Sequence, residues 1–303
     1  MADTSFGYNG SFGIAPETVW GTSPANPTKC FEITEESIGL KQETIAKPMI
    51  GGFSENHYVP GHRSVEGSVS FAASYETLEM ALMMGFGGIS RNGAASTYTI
   101  SADTNDPGYS AYVDRDGEQF VYSGLQCQSL KLAQEAEDFL NVTMEVIGED
   151  ETETSFTQTT VGEFVGIKYD DLACTIATTP ATIKSLELTI ESPRAADRFA
   201  LGSHLRQGVG RGEVSKVSGT MTLEYVPDGT YDSFVAGTET AITFTWTGPD
   251  GESLAITLPR CVFHGTTPAL KGHGPIDIEM PFVAYASEDG TTSPITAVLT
   301  VGA

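Results

Sequence analysis

Few residues in this chain of 303 could do chemistry. Cys261, His264 and His273 together read as part of a metal-ligand set, because thiolate and imidazole are the usual zinc donors, and His57 and His62 stand close to each other earlier on. Three donors spread over a strand-and-loop pattern do not complete a site, however. The four cysteines (Cys30, Cys127, Cys174, Cys261) contain no pair at the spacing of a zinc ribbon or redox motif, so they are expected as buried free thiols. Asp114-Arg115-Asp116-Gly117-Glu118 opens like a calcium loop but lacks the later bidentate Glu, and a hairpin turn accounts for it. Gly208-Val209-Gly210-Arg211-Gly212 is followed by strand-like alternation where a phosphate loop needs a helix. A GxSxG nucleophile elbow is absent. The Asn9-Gly10-Ser11 and Asn141-Val142-Thr143 sequons carry no weight in a chain that opens without a secretion signal. The expectation is a protein with no catalytic, cofactor or metal site.

Composition points the same way. Hydrophobic residues make up 40% and charged residues 18%, too apolar and too weakly charged for disorder. The 33 glycines, set among Thr, Ser and Val, favour short strands joined by turns, so the fold class is mainly β. Sixteen basic against 40 acidic residues give a formal charge of -24, which excludes nucleic-acid binding by phosphate neutralisation and leaves a surface that polyanionic DNA would slide past. No apolar run approaches the ~18 residues that cross a bilayer, so no membrane role is expected and the protein is expected to be made in the cytosol.

The elements that would carry any function are written twice. Val65, Gly67, Val69 and Phe71 match Val217, Gly219, Met221 and Leu223 in one frame, each set a period-2 strand. Tyr75 to Met84 matches Asp228 to Gly237 as a short amphipathic helix. Asp116-Gly117-Glu118 matches Asp250-Gly251-Glu252, both read as tight type I′ turns. Ser37–Glu43 matches Ser185–Glu191, and the cysteines pair across the repeat as Cys30 with Cys174 and Cys127 with Cys261. The reading is two modules, 1–150 with an N-terminal arm over 1–26 and 151–303, joined by a Thr- and Glu-rich linker over about 149–160.

Each module carries a long loop between its equivalent strands, Thr44 to Gly61 and Pro193 to Gly212. Both hold large apolar residues that a solvated loop does not need: Met49, Ile50, Phe53 and Tyr58 in the first, Phe199, Leu201 and Leu205 in the second. Such loops either bind a partner or fold back on their own sheet.

The run FGYNGSFGIAPETVWGTSPANPTKCFEITEESIGL and the later VPGHRSVEGSVSFAASYETLEMALMMGFG resemble the tail tube proteins of long-tailed bacteriophages. The resemblance rests on a Trp20-Gly21-Thr22 turn, a Pro27-Thr28 step into a strand, and Gly61-His62-Arg63-Ser64-Val65-Glu66-Gly67 opening another. It covers residues 7 to 147 and reaches the second half through the repeat, which lacks the Trp-Gly-Thr and Arg-Ser-Val elements.

The resemblance implies β-sandwich or barrel modules, each with one flanking short helix and a long inter-strand loop. Modules would close into rings, and rings would stack into a hollow siphophage-type tube assembled in the host cytoplasm. Double-stranded DNA would pass through the lumen without specific binding, past acidic side chains such as Glu66 and Glu224. The two loops would reach the neighbouring ring, and the tail terminator, tail tip and tape-measure proteins would be the other partners. Two modules per chain favour a trimeric, pseudo-sixfold ring, with a hexamer whose second module decorates the outside as the alternative. The rival functions are a capsid or head-tail connector protein, and a carbohydrate-binding or hydrolytic β protein, which would need exposed aromatics or a carboxylate pair in a groove.

Overall fold

The computed structural model describes residues 6–47, 50, 57–86, 89–91, 97–101, 108–161, 164–208, 210–225, 235–265, 267 and 275–301. Among them are nineteen strands and one α-helix, as a mainly β composition requires. The first half runs β1 (Ser11–Pro16), β2 (Lys29–Phe31), β3 (Glu35–Glu36), β4 (Gly39–Ala46), β5 (Tyr58–Ala72), α1 (Tyr75–Phe86), β6 (Ile89–Arg91) and β7 (Thr97–Ser101). It continues with β8 (Tyr109–Arg115), β9 (Glu118–Glu135), β10 (Asn141–Gly148) and β11 (Asp150–Glu153). The second half runs β12 (Leu172–Ile176), β13 (Thr179–Ala181), β14 (Ile183–Glu191), β15 (Lys216–Glu224), β16 (Thr240–Thr247), β17 (Ser253–Phe263), β18 (Asp277–Ala284) and β19 (Thr296–Thr300).

All pairings are antiparallel. In the first half the order across the sheet is β2-β1-β8-β9-β10-β5-β4. In the second it is β13-β12-β16-β17-β18-β15-β14. Two seams join the halves: β14 lies on β9 from Ser185↔Glu135 to Glu191↔Ser129, and β19 lies on β7 from Thr296↔Ser101 to Thr300↔Thr97. Strand β9 makes the layering. Its first part pairs with β8 and β11, then Gly124 (φ +64) and a register shift against β8 turn its second part onto β10 and β14. Inward side chains of both halves merge in one core that includes Phe71, Leu82, Leu132, Leu188, Phe244 and Phe282.

Helix α1 starts where Ser74 and Thr77 cap each other: Thr77 N–H donates to Ser74 Oγ at 3.2 Å and Ser74 N–H to Thr77 Oγ1 at 3.0 Å. It is not the surface amphipathic helix that its sequence pattern suggests. Nearly every residue from Tyr75 to Phe86 is buried, because the helix touches β9 and β10 of its own half and also β14 and β19 of the other. Its predicted counterpart, Asp228 to Gly237, lies largely outside the described residues.

Several predicted correspondences shift in register. Asp116 (φ +61) and Gly117 (φ +96) form the expected two-residue turn between Arg115 and Glu118. Asp250-Gly251 does not: Thr247 pairs with Ser253, and the wider loop is closed by Gly248 N–H on the Glu252 carbonyl at 2.9 Å. All four cysteines are free and buried, but they are not repeat partners. Cys30 is on β2, whereas Cys174 is on β12, which pairs directly with β16 as β1 does with β8. Cys261 faces Thr240 across a bulge as Leu125, rather than Cys127, faces Tyr109. Leu40 likewise matches Ile190, opposite Val65 and Val217, which moves the Ser37–Glu43 match along its strand.

The stretch 149–160 is no free linker. Residues 150–153 are β11, Phe156 packs edge-on against Tyr112 with centroids 5.2 Å apart, and Thr157 N–H donates to Asn26 Oδ1 at 2.7 Å. It straps the first half before entering the second.

Candidate assembly surfaces

Polar residues alternate with core residues along an unbroken run of eight strands, β4-β5-β10-β9-β14-β15-β18-β17, which passes through the seam between the halves. The outward face carries rows of small hydroxyl side chains in register, such as Ser70, Thr143, Thr189 and Ser218 flanking Lys131. Among them stand the carboxylates of Glu66, Glu135, Glu145, Glu187, Glu191, Glu224, Asp277 and Glu279, and the lysines Lys41, Lys131, Lys184 and Lys216. Three of these lysines are ion-paired within the face: Lys41 with Glu66 at 2.7 Å, Lys131 with Glu187 at 2.9 Å, and Lys184 with Asp277 at 2.7 Å and Glu224 at 3.1 Å. Hydrogen bonds that it donates to the Asp277 and Glu224 carboxylates hold the Lys184 ammonium above the ordinary lysine range. Both acids singled out from the sequence, Glu66 and Glu224, lie on this face, each already committed to a cation.

The two long loops differ. The first continues β4 and β5 as a hairpin beyond the sheet, pairing Ile45 with Val59 and Ala46 with Tyr58, all exposed. Ile50 is 108% exposed; Met49 and Phe53 lie outside the described residues. The second loop folds back on the first half. Phe199 is half-buried with its ring stacked on His62 at 4.1 Å, Leu205 is half-buried, and only Leu201 stands clear at 106% exposure.

Two buried arginines that sequence reasoning did not single out hold it there. Arg206, 2% exposed, donates from Nη1 to the Gly148 carbonyl at 2.9 Å, with Nη2 3.8 Å from Glu66. Arg194 donates from Nε to the Cys127 carbonyl at 3.1 Å. Both sit among glycines and small residues with no periodicity to mark them. The loop backbone adds a bond from Arg63 N–H to the His204 carbonyl at 2.9 Å.

The Trp20-Gly21-Thr22 turn is fastened by another residue the sequence left unmarked, Glu17. Its buried carboxylate accepts from Ser110 Oγ (2.6 Å), Gly124 N–H (2.8 Å) and Gly21 N–H (2.7 Å). Gly21 adopts φ +76, a conformation that favours glycine, and a Cβ there would stand 1.9 Å from Glu149 Oε2, which would have to move aside. Burial, and after it the nearby Glu17 and Asp150 charges, push the Glu149 carboxyl up to about 7.

The residues with chemical potential are spent on structure. Asp114 and Asp116 accept from Gly117 N–H, Phe6 N–H and Asn9 Nδ2; Cys261 is packed in the core; His62 stacks on Phe199. His273 lies outside the described residues, and the described residues hold no group of three His, Cys, Asp or Glu side chains able to bind a metal.

A β protein with an acid-rich face across both halves, a sheet edge at β4 paired on one side only, and loops reaching past its sheet is a structural building block. The family model for phage tail tube proteins matches residues 7–284, and the chain belongs to that family. It is a structural component of the phage tail, not an enzyme, and proteins of this family polymerise into tubes. No curated protein matches the chain.

Proposed function

We propose that this chain is an internally duplicated tube module, of siphophage type, three copies of which close a pseudo-sixfold ring whose lumen is lined by the acid-rich face. The observation that carries this reading is the β9–β14 seam, which fuses the two halves' sheets into one antiparallel run instead of leaving the second half as an outer decoration. The matching strand order of the two halves supports duplication even though individual residue matches shift. Strand β4 pairs only with β5, whereas β14 is paired on both sides, so a neighbouring copy at β4 would repeat the internal seam and remove the open edge. The exposed loop tips at Ile50 and Leu201 are the proposed contacts to the next ring, and DNA would pass a face whose lysines are largely neutralised by its own carboxylates. The remaining partners are the proteins that start, measure and terminate the tube. Native mass spectrometry of rings released from assembled tubes tests the count. Three chains per ring is the expected result, and six would overturn the pseudo-sixfold reading.

A further inference from the structure

The way the second loop lies on the first half gives a template for a contact that a single chain cannot make. Segment 193–212 leaves β14, reaches across β9 and β10 to β5 with its middle, and returns to β15, its two ends tied by Gly212 N–H on the Pro193 carbonyl at 2.9 Å. At its middle, Phe199 covers His62, His204 bonds Arg63 N–H through its carbonyl, and Arg206 bonds the last carbonyl of β10. All the receiving groups lie at one corner of the first half.

The second half has the same corner. Val65 faces Gly148 of β10 as Val217 faces Ala284 of β18, and three residues before each stand His62, on β5, and Val214, just ahead of β15. His62 is exposed but has the Phe199 ring stacked on one face, whereas Val214 is 90% exposed. At the β4 end of the eight-strand run, the β4–β5 hairpin presents Ile45, Tyr58 and Val59, all exposed. One apolar patch thus sits at the open β4 edge, and one bare corner sits where β15 and β18 meet in the second half, while the matching corner of the first half is already covered by a loop.

We infer that the stem of the β4–β5 hairpin of one copy docks on the Val214 corner of the next copy, so that the long loops form a lateral collar around each ring and only their tips remain for contact along the tube. This rests on the ring reading above and assigns the loops a different duty from stacking alone. The partner is a second copy of this chain, because its hairpin approaches Val214 when its β4 edge meets the second half as β14 meets β9.

Photocrosslinking tests this. Tyr58→Cys labelled with benzophenone maleimide places the probe at the stem, the native thiols being buried. Irradiated tubes are then resolved on a denaturing gel, and the captured peptide is identified by mass spectrometry. Capture of the peptide holding Val214, with a ladder that ends at three chains, is the expected result. A ladder ending at six with the same peptide upholds lateral docking while overturning the three-chain ring. A ladder without limit, capture of another peptide, or no capture overturns the collar even if rings contain three chains. A second variant, Val214→Asp, puts an unpaired charge under the hairpin and should raise the concentration needed for assembly by about ten-fold without lowering the melting temperature of the unassembled chain. Unchanged assembly would overturn the proposal as well.

Discussion

At the residue scale, the cluster around the Trp20 turn shows one carboxylate stabilised and another held where its charge is unwelcome. Glu17 accepts from three donors, while Glu149 lies beside it in a partly desolvated pocket and has its carboxyl raised to about 7. A raised folded-state value means that the folded protein keeps a proton which the unfolded chain releases from 4.5 upward. This contribution to stability is therefore full below about pH 4.5 and is lost as pH rises through about 7. Glu149→Gln keeps the shape and removes the charge. It should stabilise the fold at about pH 8 by about 1 kcal/mol, since solvent screens much of the effect, and leave it nearly unchanged at about pH 4.5. Thermal melts of variant and parent at the two pH values check this, and equal gains at both would show that the charge is not the cause.

At the element scale, the second loop behaves as a clasp whose pin is Arg206. A buried guanidinium that loses its partners is costly, and truncating it leaves the Gly148 carbonyl without a donor. Arg206→Ala should free segment 193–212 while β14 and β15 stay paired, so trypsin should cut after Arg198 at least about ten-fold faster at little cost to the global melting temperature. An unchanged cleavage rate would mean that Phe199 on His62 holds the loop by itself. Much of this architecture was legible beforehand. Alternation in β5 and β15, the Asp116-Gly117 turn and the two long loops follow from period-2 patterning and turn chemistry, which are local properties. What was not legible depends on contacts between distant segments. Helix α1 looked amphipathic because nothing in Tyr75–Phe86 announces that β14 and β19 cover its second side. The match of Cys127 with Cys261 misled because the bulges in β9 and β17 insert residues and flip the inward-outward alternation, so a constant displacement in sequence does not keep strand register. Arg206 and Glu17 are buried charges, and burial of a charge is set by the partners that neutralise it, which lie far away in sequence.

At the scale of the whole molecule, the acidic balance becomes a surface with a direction. Eight carboxylates and four lysines share the face of the eight-strand run, and three of those lysines are tied to neighbouring acids. A cation held by a carboxylate offers little to a passing phosphate, whereas a free one repeated by symmetry around each ring and along the tube would offer many weak contacts in series. Glu66 is a poor place to test this, because it is shared by Lys41 and Arg206 and its reversal would disturb the clasp. Glu145 is better: it is exposed on the same face and lies between Ser68 and Ser129. Glu145→Lys should allow normal tube assembly and slow DNA ejection, with the delay growing at low ionic strength, where phosphate attraction is least screened. Glu118→Lys makes the same change in net charge at the exposed β8–β9 hairpin, away from the face, and should leave ejection at the parental rate. Single-particle ejection assays at two salt concentrations separate the cases. Parental ejection by Glu145→Lys in low salt would remove this face from the DNA path, and equal slowing by both variants would trace the effect to net charge instead of to a lumen lining.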